Sequence, residues 1–135
     1  MENPVLYILM RMDLDSFNAG KKMAQAAHAA NAVEHQFITE GIFIPAFEMW
    51  KQQTAQGFGT TIVLGIDNVN IMYSIVDIFN QRDDSMSGIV HDPTYPLVDG
   101  KVTHLIPLDT CGYVFVSDKD ALLVKSVLGM LQLHP

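Results

Sequence analysis

The sequence contains a single cysteine, Cys111, among its 135 residues. A single cysteine cannot form an intramolecular disulfide or a cysteine zinc site alone. A chain of this length can nevertheless bury a hydrophobic core without such cross-links. The apolar run over residues 5–10 is far shorter than the about 20 residues that a membrane-spanning helix needs. Residues 1–4 lack the basic cluster that begins a secretory signal. We therefore expect a cytoplasmic protein that does not enter the membrane.

Basic residues are also scarce. Eight Lys and Arg stand against 15 Asp and Glu, which gives a net charge of −7. Proteins that bind nucleic acids through phosphate contacts usually show the opposite balance. The acidic excess lies entirely after residue 30, so the local field near the N-terminus leaves a nucleic-acid substrate open. The overall charge nevertheless disfavours tight binding of a large nucleic acid and favours a smaller substrate.

The composition, 49% hydrophobic and 17% charged, excludes disorder as the main state. The apolar pattern predicts alternating strands and helices in one domain over residues 1–135. Strands are predicted over residues 5–10, 60–66, 87–91, 102–108 and 112–116. Helices are predicted over residues 21–33, 46–53 and 69–80, and from a Ser117 cap to about residue 133, with loops over residues 13–20, 92–100 and 109–111. This order predicts an α/β fold: a single compact domain with a mixed, mostly parallel β-sheet of about four strands and helices on both faces.

One segment carries a chemical signal. On the helix predicted from residue 21, the side chains of Lys21, Gln25 and His28 share one face. A lysine in the first helical turn is misplaced with respect to the helix dipole unless an anion is present, because the free N–H groups there already attract negative charge. Lys21 is therefore a candidate ligand for a phosphate or an oxyanion. The alternatives are that Lys21 is a solvated surface lysine, and that Gln25 and His28 form the polar edge of a packed helix.

A longer pattern surrounds these residues. The chain has Arg11, the pair Asp13-Leu14, and then G-K-x-x-A-Q-x-x-H-A-A beginning at Gly20. In this pattern it resembles the archaeal and eukaryotic type of peptidyl-tRNA hydrolase. An apolar segment that ends in Asp92 and the apolar C-terminal end fit the same family in outline.

The resemblance implies a hydrolase that cleaves the ester between a peptide and the 3′ ribose of tRNA, or a related smaller ester. It implies a homodimer, and we expect neither a cofactor nor a metal ion. By position, Lys21 and Asp92 correspond to catalytic residues of the family, together with a threonine. Asp92 would orient or deprotonate the attacking water, Lys21 would hold the oxyanion or the terminal phosphate, and His28 could assist.

The chain departs from the family pattern after Asp92. Where the family has Ala-Gly-x-Thr, this sequence has Pro93-Thr94-Tyr95. The catalytic threonine therefore has three candidates, which are Thr94, Thr103 and Thr110.

Further residues are predicted to contact the substrate or a second subunit. The substrate-binding candidates are Gly20, Lys22, Gln25, Arg11 and Tyr95, and Tyr95 and Trp50 could stack on a base or a ribose. An insertion in the first crossover carries Phe43, Phe47 and Trp50, which are candidates for the homodimer contact.

Two other functions stay open. The altered segment after Asp92 and the acidic balance favour a binding module for a nucleotide, an RNA end or a protein partner. A metal-dependent hydrolase would use His28, His91, Asp92 and His104, although their spacing matches no metal motif.

Overall fold

The computed structural model describes residues 3–41, 44–80 and 82–135. Its strands are β1 (Val5–Arg11), β2 (Thr61–Ile66), β3 (Ser85–Asp99) and β4 (Val102–Val116). Its helices are α1 (Ala19–Thr39), α2 (Pro45–Lys51), α3 (Val69–Phe79) and α4 (Leu122–Val127), and a short 3-10 turn follows at Leu128–Met130. In these residues, no helix is both long and apolar enough to cross a membrane.

The four strands form one sheet in the order β2-β1-β4-β3. β1 pairs with β2 in parallel, and β4 pairs in antiparallel fashion with both β1 and β3. The predicted α/β domain with a mixed four-stranded sheet is confirmed. The expectation of a mostly parallel sheet is wrong, because β4 lies between β1 and β3 and leaves one parallel pair.

Helices cover both faces of the sheet, as predicted. One layer holds α1 and α2 against side chains such as Leu6, Ile8 and Phe115. The other holds α3 and α4 against the alternate side chains of the same strands, such as Tyr7, Leu9 and Val114. β1 is buried along its whole length because both of its faces are covered.

β3 and β4 form a hairpin that extends well beyond β1. β1 pairs with β4 only from Val116 to Cys111, so the part of the hairpin nearer its turn overhangs the sheet. The predicted loop over residues 92–100 is therefore wrong, and the predicted break at residues 109–111 is wrong as well. Pro93 and Pro96 fit because β3 is an edge strand, where a missing N–H costs no ladder hydrogen bond.

The C-terminal segment also differs from the prediction of one helix ending near residue 133. The Ser117 hydroxyl donates to the carbonyl of Asp84 instead of capping a helix, and α4 begins only at Leu122. After the 3-10 turn the chain runs extended beside β2, where Leu133 bridges Leu64. This tail covers the β2 edge of the sheet, whereas the β3 edge beyond Ser85, which Arg82 bridges, stays open among the described residues.

The aromatic residues of α2 belong to the core. Phe47 is 1% exposed and Trp50 is 5% exposed, and both pack on Phe115. The indole N–H of Trp50 donates to the carbonyl of Thr60. Their predicted roles, at a dimer contact and in stacking on a base, are wrong for this reason. Phe43 lies outside the described residues.

Candidate functional site

Two bulges bracket Asp92 in the β3–β4 hairpin. Val90 pairs with Cys111 but His91 pairs with Asp109, so Thr110 is an extra residue on β4. Asp92 pairs with Leu108 but Tyr95 pairs with Ile106, so β3 has the extra residue on the other side. Bulges bend a strand and redirect its side chains, and they are frequent beside active sites. Here they bring Asp92 and Thr110 towards α1, just past the carboxyl end of β1.

A chain of hydrogen bonds joins three elements at this point. The Thr110 hydroxyl donates to Gln25 Oε1 over 2.7 Å, and Gln25 Nε2 donates to Asp92 Oδ2 over 2.7 Å. The second carboxylate oxygen, Oδ1, accepts from the backbone N–H of Thr94 at 2.9 Å and lies 3.4 Å from its hydroxyl. Gln25 and Thr110 are buried, while Asp92 is half-buried and Thr94 is exposed. Asp92 therefore contacts solvent while hydrogen bonds from Gln25 and Thr94 fix its carboxylate.

This arrangement keeps Asp92 ionised. Burial raises the pKa of Asp92, but the hydrogen bonds from Gln25 and Thr94 and the nearby His28 lower it by more. The net pKa lies below the ordinary aspartate value. Oδ2 accepts only from Gln25 and keeps a free lone pair, so Asp92 can accept a further hydrogen bond from a water molecule.

The first turn of α1 lies at the same edge of the sheet. Asn18 caps the helix, since its side-chain oxygen accepts from the backbone N–H of Lys21. The ammonium of Lys21 donates to the carbonyl of Pro96 over 2.8 Å and lies 5.0 Å from the centroid of the Tyr95 ring. Lysine has three N–H donors, so two remain for a ligand. Gln25 is one turn further along the same face of the helix, where it donates to Asp92.

Tyr95 supports Lys21 rather than facing solvent. Its ring is 1% exposed and packs edge-on against Phe17, and its hydroxyl lies 3.0 Å from that of Ser16. The ring face toward Lys21 forms a cation–π contact. The prediction that Tyr95 stacks on a base or ribose is wrong because the ring is buried.

Arg11 lies on the opposite face of the sheet. Its guanidinium binds both carboxylate oxygens of Asp13, at 2.9 and 2.8 Å, and donates to the carbonyl of Asp109 over 2.9 Å. The Asp109 side chain accepts from Tyr73 and contacts His91 Nδ1 at 2.7 Å. The structure therefore does not bring Arg11 to the Lys21 and Asp92 side chains.

The remaining candidates are spread around the cluster. Gly20 is exposed in the first turn of α1, and Lys22 Nζ lies 6.0 Å from the centre of the Phe17 ring. Thr103 pairs with Val98 near the hairpin turn, about 20 Å from Asp92 at the usual rise per strand residue. Thr94 and Thr110 lie at the cluster, and Thr103 does not.

His28 is exposed and lines an open cleft of about 830 Å³ beside Asp92. We call this the edge cleft. One wall is α1, with His28, Asn31, Ala32 and His35, and the other is the β3 segment 89–94. Within the described ranges, no group of three or more His, Cys, Asp or Glu is arranged to hold a metal ion. His104 pairs with Leu97 near the hairpin turn, away from His91 and Asp92.

Sequence reasoning missed several residues that position the site. Asn18 could have been found, because an Asn directly before a helix is a strong N-cap signal. Ser16 and the carbonyl of Pro96 carried no local signal. Their role depends on the length of β3, and Pro93 and Pro96 had led to the prediction of a loop there.

Comparison with models of known protein families gives a match. The model of the family described as Peptidyl-tRNA hydrolase PTH2 matches residues 4–133, which is nearly the whole chain. No curated protein matches the sequence.

Proposed function

Because the chain belongs to the peptidyl-tRNA hydrolase PTH2 family, we propose that it hydrolyses the ester bond between a peptide and the 3′-terminal ribose of tRNA. The observation that carries this proposal is the hydrogen-bonded chain from Thr110 through Gln25 to Asp92, next to the Lys21 turn of α1. Ester hydrolysis needs an oriented water, which Asp92 supplies, and a stabilised oxyanion, which Lys21 supplies.

Asp92 orients the attacking water. It is ionised at neutral pH and accepts a hydrogen bond from the water on the solvent side, while the amide of Gln25 and the backbone N–H of Thr94 donate to its oxygens. The water oxygen attacks the ester carbonyl and its proton passes towards Asp92. When the ester C–O bond breaks, that proton goes to the ribose oxygen that leaves.

Lys21 stabilises negative charge. Its ammonium is fixed by the Pro96 carbonyl and by the Tyr95 ring, so it is oriented before substrate binds. The N–H groups of Ala19 and Gly20 precede the first hydrogen bond within α1 and add to the positive field there. This end of α1 suits the oxyanion or the terminal phosphate.

Gln25 and Thr110 act as positioning residues. Thr110 is 0% exposed, so its hydroxyl does not reach a substrate. It donates to Gln25 Oε1 and thereby fixes the amide with its N–H₂ group toward Asp92. Thr94, which is exposed beside the carboxylate, is the threonine placed to touch the reacting water.

The test is turnover of an N-acetyl-aminoacyl-tRNA by purified protein. We expect Asp92→Asn and Lys21→Ala each to lower kcat by about 10²-fold or more, the range seen when such groups are removed. Asp77→Asn and Lys119→Ala, which change exposed residues far from α1's first turn, are matched controls. Unchanged turnover in both test variants would refute the assignment.

The same assay distinguishes hydrolysis from the alternative function, which is binding without turnover. Tight binding of tRNA or a nucleotide with no turnover by the unmodified protein would favour a binding module in which the chemistry is lost. The acidic balance of the chain motivates that alternative. Rapid turnover by the unmodified protein would exclude the binding module.

Three further expectations accompany the proposal. Residues 1–135 form a single domain of the peptidyl-tRNA hydrolase type, a proposal that the match over residues 4–133 supports. The homodimer and the cytoplasmic location stay predictions. Sedimentation of the purified protein measures the former, and fractionation of cells measures the latter.

A further inference from the structure

We propose that the peptide part of the substrate lies extended in the edge cleft and pairs through its backbone with the free edge of β3. This inference rests on the proposed function, because it places the ester at Asp92. It concerns a separate surface, however, and binding there is measurable without hydrolysis.

The first argument is the open strand edge. β3 is the last strand of the sheet, and within the described ranges its outer side is paired only at Ser85, which Arg82 bridges. In an antiparallel pair, residues of β3 alternately direct their N–H and C=O groups towards β4 and away from it. Natural edge strands are usually protected by lysines, prolines or a covering segment. The stretch from Ser87 to Val90 has no such protection, whereas the β2 edge is covered by the C-terminal tail.

The second argument is the length of the cleft. Beyond the edge cleft the surface continues into a depression of about 440 Å³, and the two share Ala32, His35 and Ile89. Together they follow β3 from Ser87 to Thr94. At about 3.3 Å per residue this is more than 20 Å, enough for an extended peptide of about six residues. Asp92 stands at one end, where the ester carbon has to lie.

The third argument is charge. None of the described residues that line the edge cleft or its continuation is Lys or Arg, and they include Asp92 and Glu40. A polyanionic tRNA end does not fit such a surface. The cations Lys21 and Lys22 lie at the start of α1 instead. The ester is therefore flanked by a cationic side for the nucleotide and by an edge without Lys or Arg for the peptide.

The fourth argument is chemical generality. Peptides attached to tRNA differ in side chains, and the amide backbone is what they share. Addition of a strand to a sheet edge recognises that backbone through main-chain hydrogen bonds. The small side chain of Ala32 in the α1 wall leaves room for varied side chains.

The experiment compares an N-acetyl-aminoacyl-tRNA with an N-acetyl-pentapeptidyl-tRNA that has the same C-terminal residue. We expect kcat/KM to be about tenfold higher for the longer substrate. N-methylation of the pentapeptide at alternate amides should remove this gain in one parity and keep it in the other, because only every second residue faces β3.

Variants test where the peptide lies. In Ala32→Trp and in Asn31→Trp a bulky ring fills the edge cleft, and the ratio of kcat/KM between the two substrates should fall to about one. Asn31 is exposed, so its variant keeps the packing of α1. Ala30→Trp, on an exposed part of α1 that lines neither depression, is the matched control and should keep the tenfold ratio.

A titration without tRNA separates this inference from the proposed function. The free N-acetyl-pentapeptide amide should shift the backbone amide signals of Ile89 and Val90, and Asn31→Trp should abolish the shifts. Such binding without any ester turnover would leave the cleft inference standing and remove the hydrolase. Equal kcat/KM for both substrates, a ratio unaffected by both cleft variants, or no shift at β3 would overturn it.

Discussion

The amide of Gln25 joins the buried hydroxyl of Thr110 to the carboxylate of Asp92, with 2.7 Å on each side. The hydroxyl donates to the amide oxygen, so the amide nitrogen is left to face the carboxylate. Three elements that are distant in sequence, α1, β4 and β3, are thus joined at one point. Because a hydrogen bond to the charged form lowers an acid's pKa, the link also controls the ionisation of Asp92.

Loss of the Gln25 amide should raise the pKa of Asp92. In Gln25→Leu the carboxylate loses a donor to its charged form, so the acidic limb of the kcat/KM profile moves to higher pH. In Gln25→Glu a second carboxylate faces Asp92, and the limb moves further because like charges disfavour ionisation. Direct NMR titration of the Asp92 carboxyl carbon reports the same shifts without turnover. A purely structural role for Gln25 would lower the rate at every pH and leave the limb in place.

The Thr110 hydroxyl should stabilise the fold and the site together. Thr110→Val keeps the shape but leaves Gln25 Oε1 buried without its donor, which costs about 1–3 kcal/mol of unfolding free energy. Urea unfolding measures this cost. Thr110→Ser restores the donor and should recover most of the stability and of kcat. Equal losses in Val and Ser would show that the methyl group, and not the hydroxyl, matters.

The Arg11–Asp13 pair should make stability depend on pH. Hydrogen bonding to Arg11 and its positive charge hold the pKa of Asp13 below its ordinary value, against the effect of burial. A lowered folded-state pKa gives stability above the unfolded pKa of about 3.9, and this stability is lost as pH falls through the folded value. Because Asp13 is exposed and solvent screens the pair, Asp13→Asn should cost about 1 kcal/mol at pH 7 and progressively less below pH 4.

Urea unfolding at pH 7 and near pH 3 measures the difference for this pair. The control is Asp84→Asn, which removes an exposed pair with Arg82 at 3.6 Å. Such pairs contribute about 0–1 kcal/mol. If Asp13→Asn cost no more than Asp84→Asn at pH 7, the bidentate geometry would have no energetic role.

Much of this arrangement is local and therefore readable from the sequence. The spacing of Lys21, Gln25 and His28 places them on one face of α1, and Asp92 follows an apolar strand. The choice among three threonines was not readable, because it depends on the register of a hairpin with two bulges. Proline at positions 93 and 96 predicts a loop by local rules, and only the edge position of β3 makes a strand compatible with it.

The C-terminal prediction failed for a similar reason. Ser117 is a good N-cap by residue type, but its hydroxyl is used by the carbonyl of Asp84, which is distant in sequence. Phe47 and Trp50 of α2 are predicted to lie at a homodimer contact because they belong to an insertion. They are buried because α2 covers part of the sheet that α1 leaves open.

The charge of the chain leads to a prediction about salt. Two lysines, Lys21 and Lys22, stand at the start of α1, and the edge cleft adds no cation. Each phosphate contact to single-stranded nucleic acid contributes a slope of about −0.7 in a plot of log affinity against log salt. We expect log kcat/KM for N-acetyl-aminoacyl-tRNA to fall with a slope between about −1 and −2, measured in KCl from 50 to about 300 mM. Lys22→Ala should reduce the magnitude by about 0.7, and Lys119→Ala should not change it. A slope of about −6 or steeper would instead mean that the acidic chain presents a broad basic surface to tRNA, contrary to its charge distribution.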